Sequence, residues 1–373
     1  MLEEMTKHRR YLHTIPEVYF QEHLTTDYIT NELTKMGYRP LKYLETGAVC
    51  FKKGSTGNKT IGFRADIDGL PVMEENNIDF KSQNGNMHAC GHDGHISILL
   101  GLAKYLSAIE TKENVLFIFQ PAEEFEGGAK KLIEKGLFKD YPCDAIFALH
   151  IMPSIEEHSI ALKAGALMAM NADIDIEIIG KAAHGALPQN ALDSIYASSQ
   201  LISQYQSILS RSLSPMDQSL ISLTTIEGGK AKNIICDQVK IGGTIRTFSE
   251  KSFSKILERI TEINHGIENA FGVKVNCRFA PRYKAVINDE TLVGLLKSRL
   301  NKFHVVEAEA TMVVEDFSFY LESTPGVMMF LGSKNIEKDF VHPLHSNKFN
   351  FDESILETGL AYYKSVLEMM DVL

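Results

Sequence analysis

Apolar positions along the chain follow two different rhythms. In residues 1–150, compact apolar runs of strand length alternate with helical patterns. Thr60–Ala65, Val115–Phe119 and Ala145–Leu149 read as strands. Between and before them lie helical stretches. Residues 21–36 place Leu24, Tyr28, Ile29, Leu33 and Met36 mostly on one face, with Gly37 as the stop. His95–Ser107 reads as a buried helix, and a short helix follows Gly127-Gly128 and ends at Gly136. Strand and helix in alternation predict an α/β fold, a mostly parallel sheet flanked by helices.

Residues 171–281 keep another time. Asp173–Ile179 alternates apolar and polar positions, as a half-exposed strand does. Leu192–Leu213 is a long helical stretch, and Ser219–Thr225 and Val239–Thr247 are strands on either side of Gly228-Gly229. Ser252–Phe271 is amphipathic through Phe253, Ile256, Leu257, Ile260, Ile263 and Ile267, and Val273–Phe279 is a last strand. The order β-α-β-β-α-β is the ferredoxin-like arrangement. The expected organisation is therefore a discontinuous domain, 1–170 and 282–373, interrupted by an inserted lid or dimerisation domain, 171–281.

Composition narrows the function classes. The 373 residues are 44% hydrophobic and 23% charged, which is ordinary globular usage. The net charge of −10 argues against nucleic acid as the main partner, since phosphate binding draws on clustered Lys and Arg. No apolar run reaches the roughly 18 residues of a membrane-spanning helix, so no membrane partner is expected. The first ten residues carry two acids and no apolar core, unlike a signal peptide. Five scattered cysteines (50, 90, 143, 236 and 277) read as reduced thiols of a cytoplasmic protein.

The densest chemical signal is His88-Ala89-Cys90-Gly91-His92-Asp93-Gly94-His95. Thiolate, imidazole and carboxylate are the usual ligands of zinc-like ions, and Cys90 and His92 can reach one site from a turn before a helix. The plainer reading is a buried free cysteine among surface histidines. A second signal, Gln120-Pro121-Ala122-Glu123-Glu124, directly follows a strand. Asp66, in Arg64-Ala65-Asp66-Ile67-Asp68, and His150 also close strands. Ligand crevices of open α/β sheets lie outside the carboxyl ends of the strands, so these side chains are expected at one edge. His345, near His342, lies in a late polar loop and matters only as a missing ligand.

Together these runs resemble the metal-dependent amidohydrolases of the aminoacylase and carboxypeptidase-type metallopeptidase family. The branch is the one that holds hippurate hydrolases, auxin-conjugate hydrolases and N-acetyldiaminopimelate deacetylases. The resemblance starts at Arg9-Arg10-Tyr11-Leu12-His13 and includes Gly180-Lys181-Ala182-Ala183-His184-Gly185, Gly243-Thr244-Ile245-Arg246, Glu315-Asp316-Phe317 and Leu344-His345. It implies a two-metal site held by Cys90, His92, Glu124, His150 and His345, with zinc, manganese, cobalt or nickel as the divalent ions. It implies Glu123 as general base, Asp66 as the acid that orients a ligand or the base, and His184 as the group that polarises the scissile carbonyl. Asn233 and Arg246 would bind the substrate carboxylate. The implied substrate is a small N-acyl amino acid, and the implied assembly is a homodimer through the lid. Gly243–Glu250 resembles the diaminopimelate deacetylases of lysine biosynthesis most. A broader aminoacylase, a dipeptidase, or a non-catalytic scaffold are the alternatives. Which of Glu123 and Glu124 is base and which is ligand rests on the resemblance alone. Val313-Val314 stands where many members of the family carry Gly or Ser.

Overall fold

The computed structural model describes residues 1–125 and 127–373. The chain divides into two compact units, Met1–Leu167 with Val286–Ala310 and Glu315–Leu373, and Met168–Ala285 with Thr311–Val314.

The first unit opens with helices α1 (Leu2–His13) and α2 (His23–Lys35). It continues through β1 (Ala48–Lys52), β2 (Thr60–Asp66), α3 (His92–Ser107), β3 (Asn114–Gln120), β4 (Ala145–Glu156) and β5 (Ile160–Leu162). The second unit supplies β6 (Met170–Ile179), α4 (Ser194–Arg211), β7 (Ser219–Gly228), β8 (Gln238–Thr247), α5 (Glu250–Phe271) and β9 (Lys274–Pro281). The chain then returns with α6 (Glu290–Arg299), β10 (Val305–Glu307), β11 (Gly326–Lys334) and α7 (Ile355–Met369).

Seven strands of the first unit form one sheet in the order β1-β3-β2-β4-β11-β5-β10. The β2–β3, β2–β4, β4–β11 and β5–β10 pairs are parallel, while β1–β3 and β5–β11 are antiparallel. Strands β2 and β3 are buried at every position, as expected of strands covered on both faces. Helix α3 crosses the sheet and is itself almost wholly buried, with Ile96, Leu99, Leu100 and Leu102 in the core.

Two boundaries differ from the sequence reading. Helix α3 begins at His92, not His95, because Gly91 starts it in a left-handed conformation (φ +88°) that side chains other than glycine rarely adopt. Strand β4 does not stop at Leu149 but runs to Glu156, because β11 pairs with it as far as Glu156. Its pairing with β2 ends earlier, at Arg64–Ala148, whereas β2 follows β3 to Asp66–Gln120. The sheet thus parts between β2 and β4 at the level of Asp66 and His150.

The second unit is a four-stranded antiparallel sheet in the order β9-β6-β8-β7. Helices α4 and α5 bury Leu201, Tyr205, Ile256, Ile260 and Ile267 in a core of their own, and a Tyr205–Asn264 hydrogen bond of 2.6 Å satisfies the buried phenol. Ser249 and Asp193 cap α5 and α4. Among the described residues no helix is long and apolar enough to cross a membrane.

Candidate metal centre

The parting of β2 and β4 leaves room for side chains from β2, β4, the start of α3 and the turn after β3. Cys90, His92 and His150 bring ligand atoms within 4.8 Å of one another, and so do Cys90, Glu124 and His345. His92, Glu123 and Glu124 form a third such group. The Cys90 Sγ lies 3.4 Å from His150 Nε2, and His345 Nε2 lies 3.1 Å from Glu124 Oε1. His342 joins none of these groups among the described residues.

The imidazoles are set for coordination by the main chain. His92 Nδ1 donates to the carbonyl of Asp68 (2.9 Å), and His150 Nδ1 donates to the carbonyl of Ile151 (2.8 Å). Each ring is thereby left with an Nε2 lone pair aimed among the other donors. A hydrogen bond from the second nitrogen is the usual way a ligand imidazole is fixed. His92 Nε2 is buried without a hydrogen-bond partner. A buried polar atom left so is costly, and an ion removes the cost.

His95 is spoken for. Its Nε2 accepts the Ile151 N–H (2.9 Å), so its Nδ1 carries the proton and donates to Asp66 Oδ1 (2.6 Å). Asp66 also accepts from Arg64 (2.8 Å) and lies 3.7 Å from His92 Nε2. Asp68 takes the Glu124 N–H on one oxygen (3.0 Å), and its other oxygen stands 3.3 Å from His92 Nδ1.

Arg64 is the cationic hub beneath the centre. Fully buried, it donates to Gln120 (2.9 Å), Asp66, Glu315 (2.9 Å) and Asp316 (2.9 Å). Gln120 and the Ala129 N–H complete the shell of Asp316. Glu123, only 5% exposed, has oxygens close to those of Glu315 and Asp316.

Burial and the facing carboxylates of Glu315 and Glu124 push Glu123 well above the usual carboxylate range. Burial also raises the Cys90 thiol, and Glu124 adds to the shift. Burial works against a charged His92, yet Asp66 and Asp68 lift it to about 10. The pocket therefore attracts positive charge at His92. A soft or borderline divalent ion matches thiolate, imidazole and carboxylate donors, and would displace the proton on the thiol and any extra proton on the imidazole.

Three of the sequence candidates belong to the second unit. His184 pairs with Ile234 in a short ribbon, and the Asn233 carbonyl accepts the Gly185 N–H (2.8 Å). His184 and Asn233 thus stand side by side, both exposed. Arg246, half-buried on β8, donates to the Met312 carbonyl (2.6 Å), next to Val313.

Sequence reasoning missed Arg64, Asp68, His95 and Gln120 as parts of the site. One signal was available. Arg64 and Asp66 recur at the strand period of two, which sends both side chains to one face. The role of Gln120 had no local signature.

Comparison with known proteins settles the lineage. Residues 62–369 match peptidase family M20/M25/M40. The chain belongs to that family. The N-acetyldiaminopimelate deacetylase of Bacillus subtilis is 38% identical over 96% of this chain and 96% of its own. That of Priestia megaterium is 38% identical over 98% of both. Among solved structures, the YXEP protein of Bacillus subtilis, described as a dinuclear metal binding peptidase from the M20 family, has a TM-score of 0.87 at 32% identity and covers 100% of this chain and 99% of its own. A putative aminohydrolase from methicillin resistant Staphylococcus aureus has a TM-score of 0.94 at 29% identity, with 100% of this chain and 97% of that one covered. This M20-family chain is accordingly a hydrolase, and its clustered donors fit a metal site.

Proposed function

We propose that the chain removes the acetyl group from N-acetyl-LL-diaminopimelate, giving acetate and LL-diaminopimelate. Support comes from relatives of that name at 36–38% identity over nearly the whole chain. The observation that carries the chemistry is the convergence of the Cys90, His92, Glu124, His150 and His345 donors beside a desolvated Glu123. These five would hold two divalent ions, with zinc, manganese, cobalt and nickel all compatible with the mixed donor set.

Ions held there would polarise the amide carbonyl and acidify the attacking water. Glu123 takes the proton from that water and returns it to the departing nitrogen, a task suited to a carboxylate whose proton affinity burial has raised. Asp66 keeps His95 and Arg64 in place around it. His184 is assigned the polarisation of the scissile carbonyl, and Asn233 and Arg246 the α-carboxylate, for which a guanidinium offers paired donors. The edge strand β7, with Ile226 exposed, supports pairing of two lids in a homodimer. A thiol ligand and five free cysteines suit a reducing cytoplasm.

The test is amine release from N-acetyl-LL-diaminopimelate, N-acetyl-amino acids, hippurate and dipeptides, each with and without chelator. The expected result is chelator-sensitive release strongest with N-acetyl-LL-diaminopimelate. Equal rates across the panel would replace this reading with a general aminoacylase, and release only from dipeptides would replace it with a peptidase.

A further inference from the structure

Among the described residues Glu22 belongs to none of the donor groups of the metal centre, yet it is fully buried. It occupies the N-cap position of α2, but its side chain makes no cap hydrogen bond there. Glu17 does that work, accepting the Leu24 N–H (3.1 Å) and the Thr25 N–H (2.9 Å). Glu22 is thereby free to turn inward. One carboxylate oxygen accepts the Ala122 N–H (2.9 Å), and the other accepts the Thr46 hydroxyl (2.7 Å).

Ala122 is an unusual residue to find at that contact. It is buried, immediately precedes Glu123, and has a left-handed backbone (φ +55°). Alanine disfavours that region because its Cβ crowds the following carbonyl. Strained backbone of this kind persists only where the surroundings over-determine it. Here both polar groups of Ala122 are clamped: Glu22 takes the N–H, and the Gly128 N–H donates to the carbonyl (3.0 Å). Gly128 comes so near that a Cβ on it would stand 1.8 Å from the Pro121 oxygen. The Asp68 carboxylate accepts the Glu124 N–H (3.0 Å).

We propose that Glu22 is a positioning residue, whose carboxylate holds Ala122 left-handed and so aims Glu123 at the reacting amide. This rests on the reading of Glu123 as the base. The role is one of reach and acceptor geometry, so the two conservative replacements part company. Glu22→Gln keeps the chain length and a carbonyl oxygen for the Ala122 N–H, and its amide can donate to the Thr46 hydroxyl. Glu22→Asp keeps the charge but withdraws the acceptor by one methylene.

The experiment compares kcat, KM and bound metal for the wild type, Glu22→Gln, Glu22→Asp, Ala122→Gly and Glu22→Asp/Ala122→Gly, with Glu123→Gln as benchmark. Glu22→Gln is expected within about threefold of wild-type kcat, while Glu22→Asp falls by roughly ten- to a hundred-fold at unchanged KM and metal content. Ala122→Gly should recover part of the Glu22→Asp loss, because glycine takes the left-handed region without strain. A second readout is independent of turnover. Amide hydrogen exchange of the metal-free protein should show the Ala122 N–H protected in the wild type and Glu22→Gln and exchanging faster in Glu22→Asp. The reverse ranking, with Asp tolerated and Gln not, would assign Glu22 an electrostatic role and overturn the proposal. Equal kcat in all Glu22 variants would overturn it as well. Should Glu123→Gln retain full turnover, the base assignment fails, and the hydrogen-exchange ranking still decides whether Glu22 holds Ala122.

Discussion

The metal centre of the first unit and the ribbon of the second unit place candidate residues in opposite settings. Arg64 is buried and hydrogen-bonded to Gln120, Asp66, Glu315 and Asp316, while His92 Nε2 is buried without a hydrogen-bond partner among the donors that would hold an ion. On the ribbon His184 and Asn233 are exposed, and His184 Nδ1 accepts the Ala186 N–H (3.1 Å). The difference is one of cost. A buried group must be satisfied by the protein itself, so its geometry is fixed at folding. An exposed group is satisfied by water, and takes a defined position only when something displaces that water.

Breaking the buried side should therefore have the largest effects. Glu123→Gln is expected to lower kcat roughly 10²- to 10⁴-fold while bound metal stays at the wild-type level, as steady-state rates and elemental analysis would show. Retained turnover would remove Glu123 as base.

Next comes Arg64→Met, which strands Asp66, Glu315 and Asp316 without their shared cation. Removing one partner of a buried ion network costs about 3–5 kcal/mol, so urea denaturation should show a loss of that order. A change under about 1 kcal/mol would mean that the three acids take up protons without cost.

The third effect is a pH window on the far side of α3. His13 is buried between Asp93 (2.9 Å) and Glu74 (3.1 Å). Burial disfavours its charge, but the two carboxylates outweigh burial and raise it to about 9. Its folded value lies above the usual histidine value near 6.5, so its contribution is full below that pH and is lost as pH rises toward 9. Wild-type stability should fall by a few kcal/mol across this window, and the slope should become shallower in His13→Gln. An unchanged slope in the variant would acquit His13.

The smallest effect on stability belongs to the ribbon. His184→Ala should shift unfolding by no more than about 0.5 kcal/mol, since exposed side chains away from caps and cores rarely matter more. Turnover should nonetheless fall, and a drop in stability as large as that of Arg64→Met would erase the contrast between the two regions.

Legibility in the sequence followed the same divide between local and distant causes. The β-α-β-β-α-β order of 171–281 was readable because period-two strands and amphipathic helices are local patterns, and the observed elements β6 to β9 lie within a few residues of the expected ones. Helices α1, α6 and α7 went unread. Cys90, His92 and Glu124 were visible as donor-rich runs, and their convergence followed from strand ends. Their supports were not visible. Arg64 meets Glu315 and Asp316 about 250 positions away, and Glu22 meets Ala122 across 100. Such contacts leave no periodic trace, because nothing in either segment alone demands the other.

One detail bears on how this centre can change over generations. The carbonyls that orient His92 and His150 belong to Asp68 and Ile151, and every amino acid has a carbonyl. No exchange of side chain at those two positions deletes the acceptor. A one-residue insertion or deletion does, by carrying the carbonyl out of line with the ring. Drift by substitution is therefore buffered at the ring orientations, while length changes near Asp68 or Ile151 are the lesions that lineages with a working centre cannot keep.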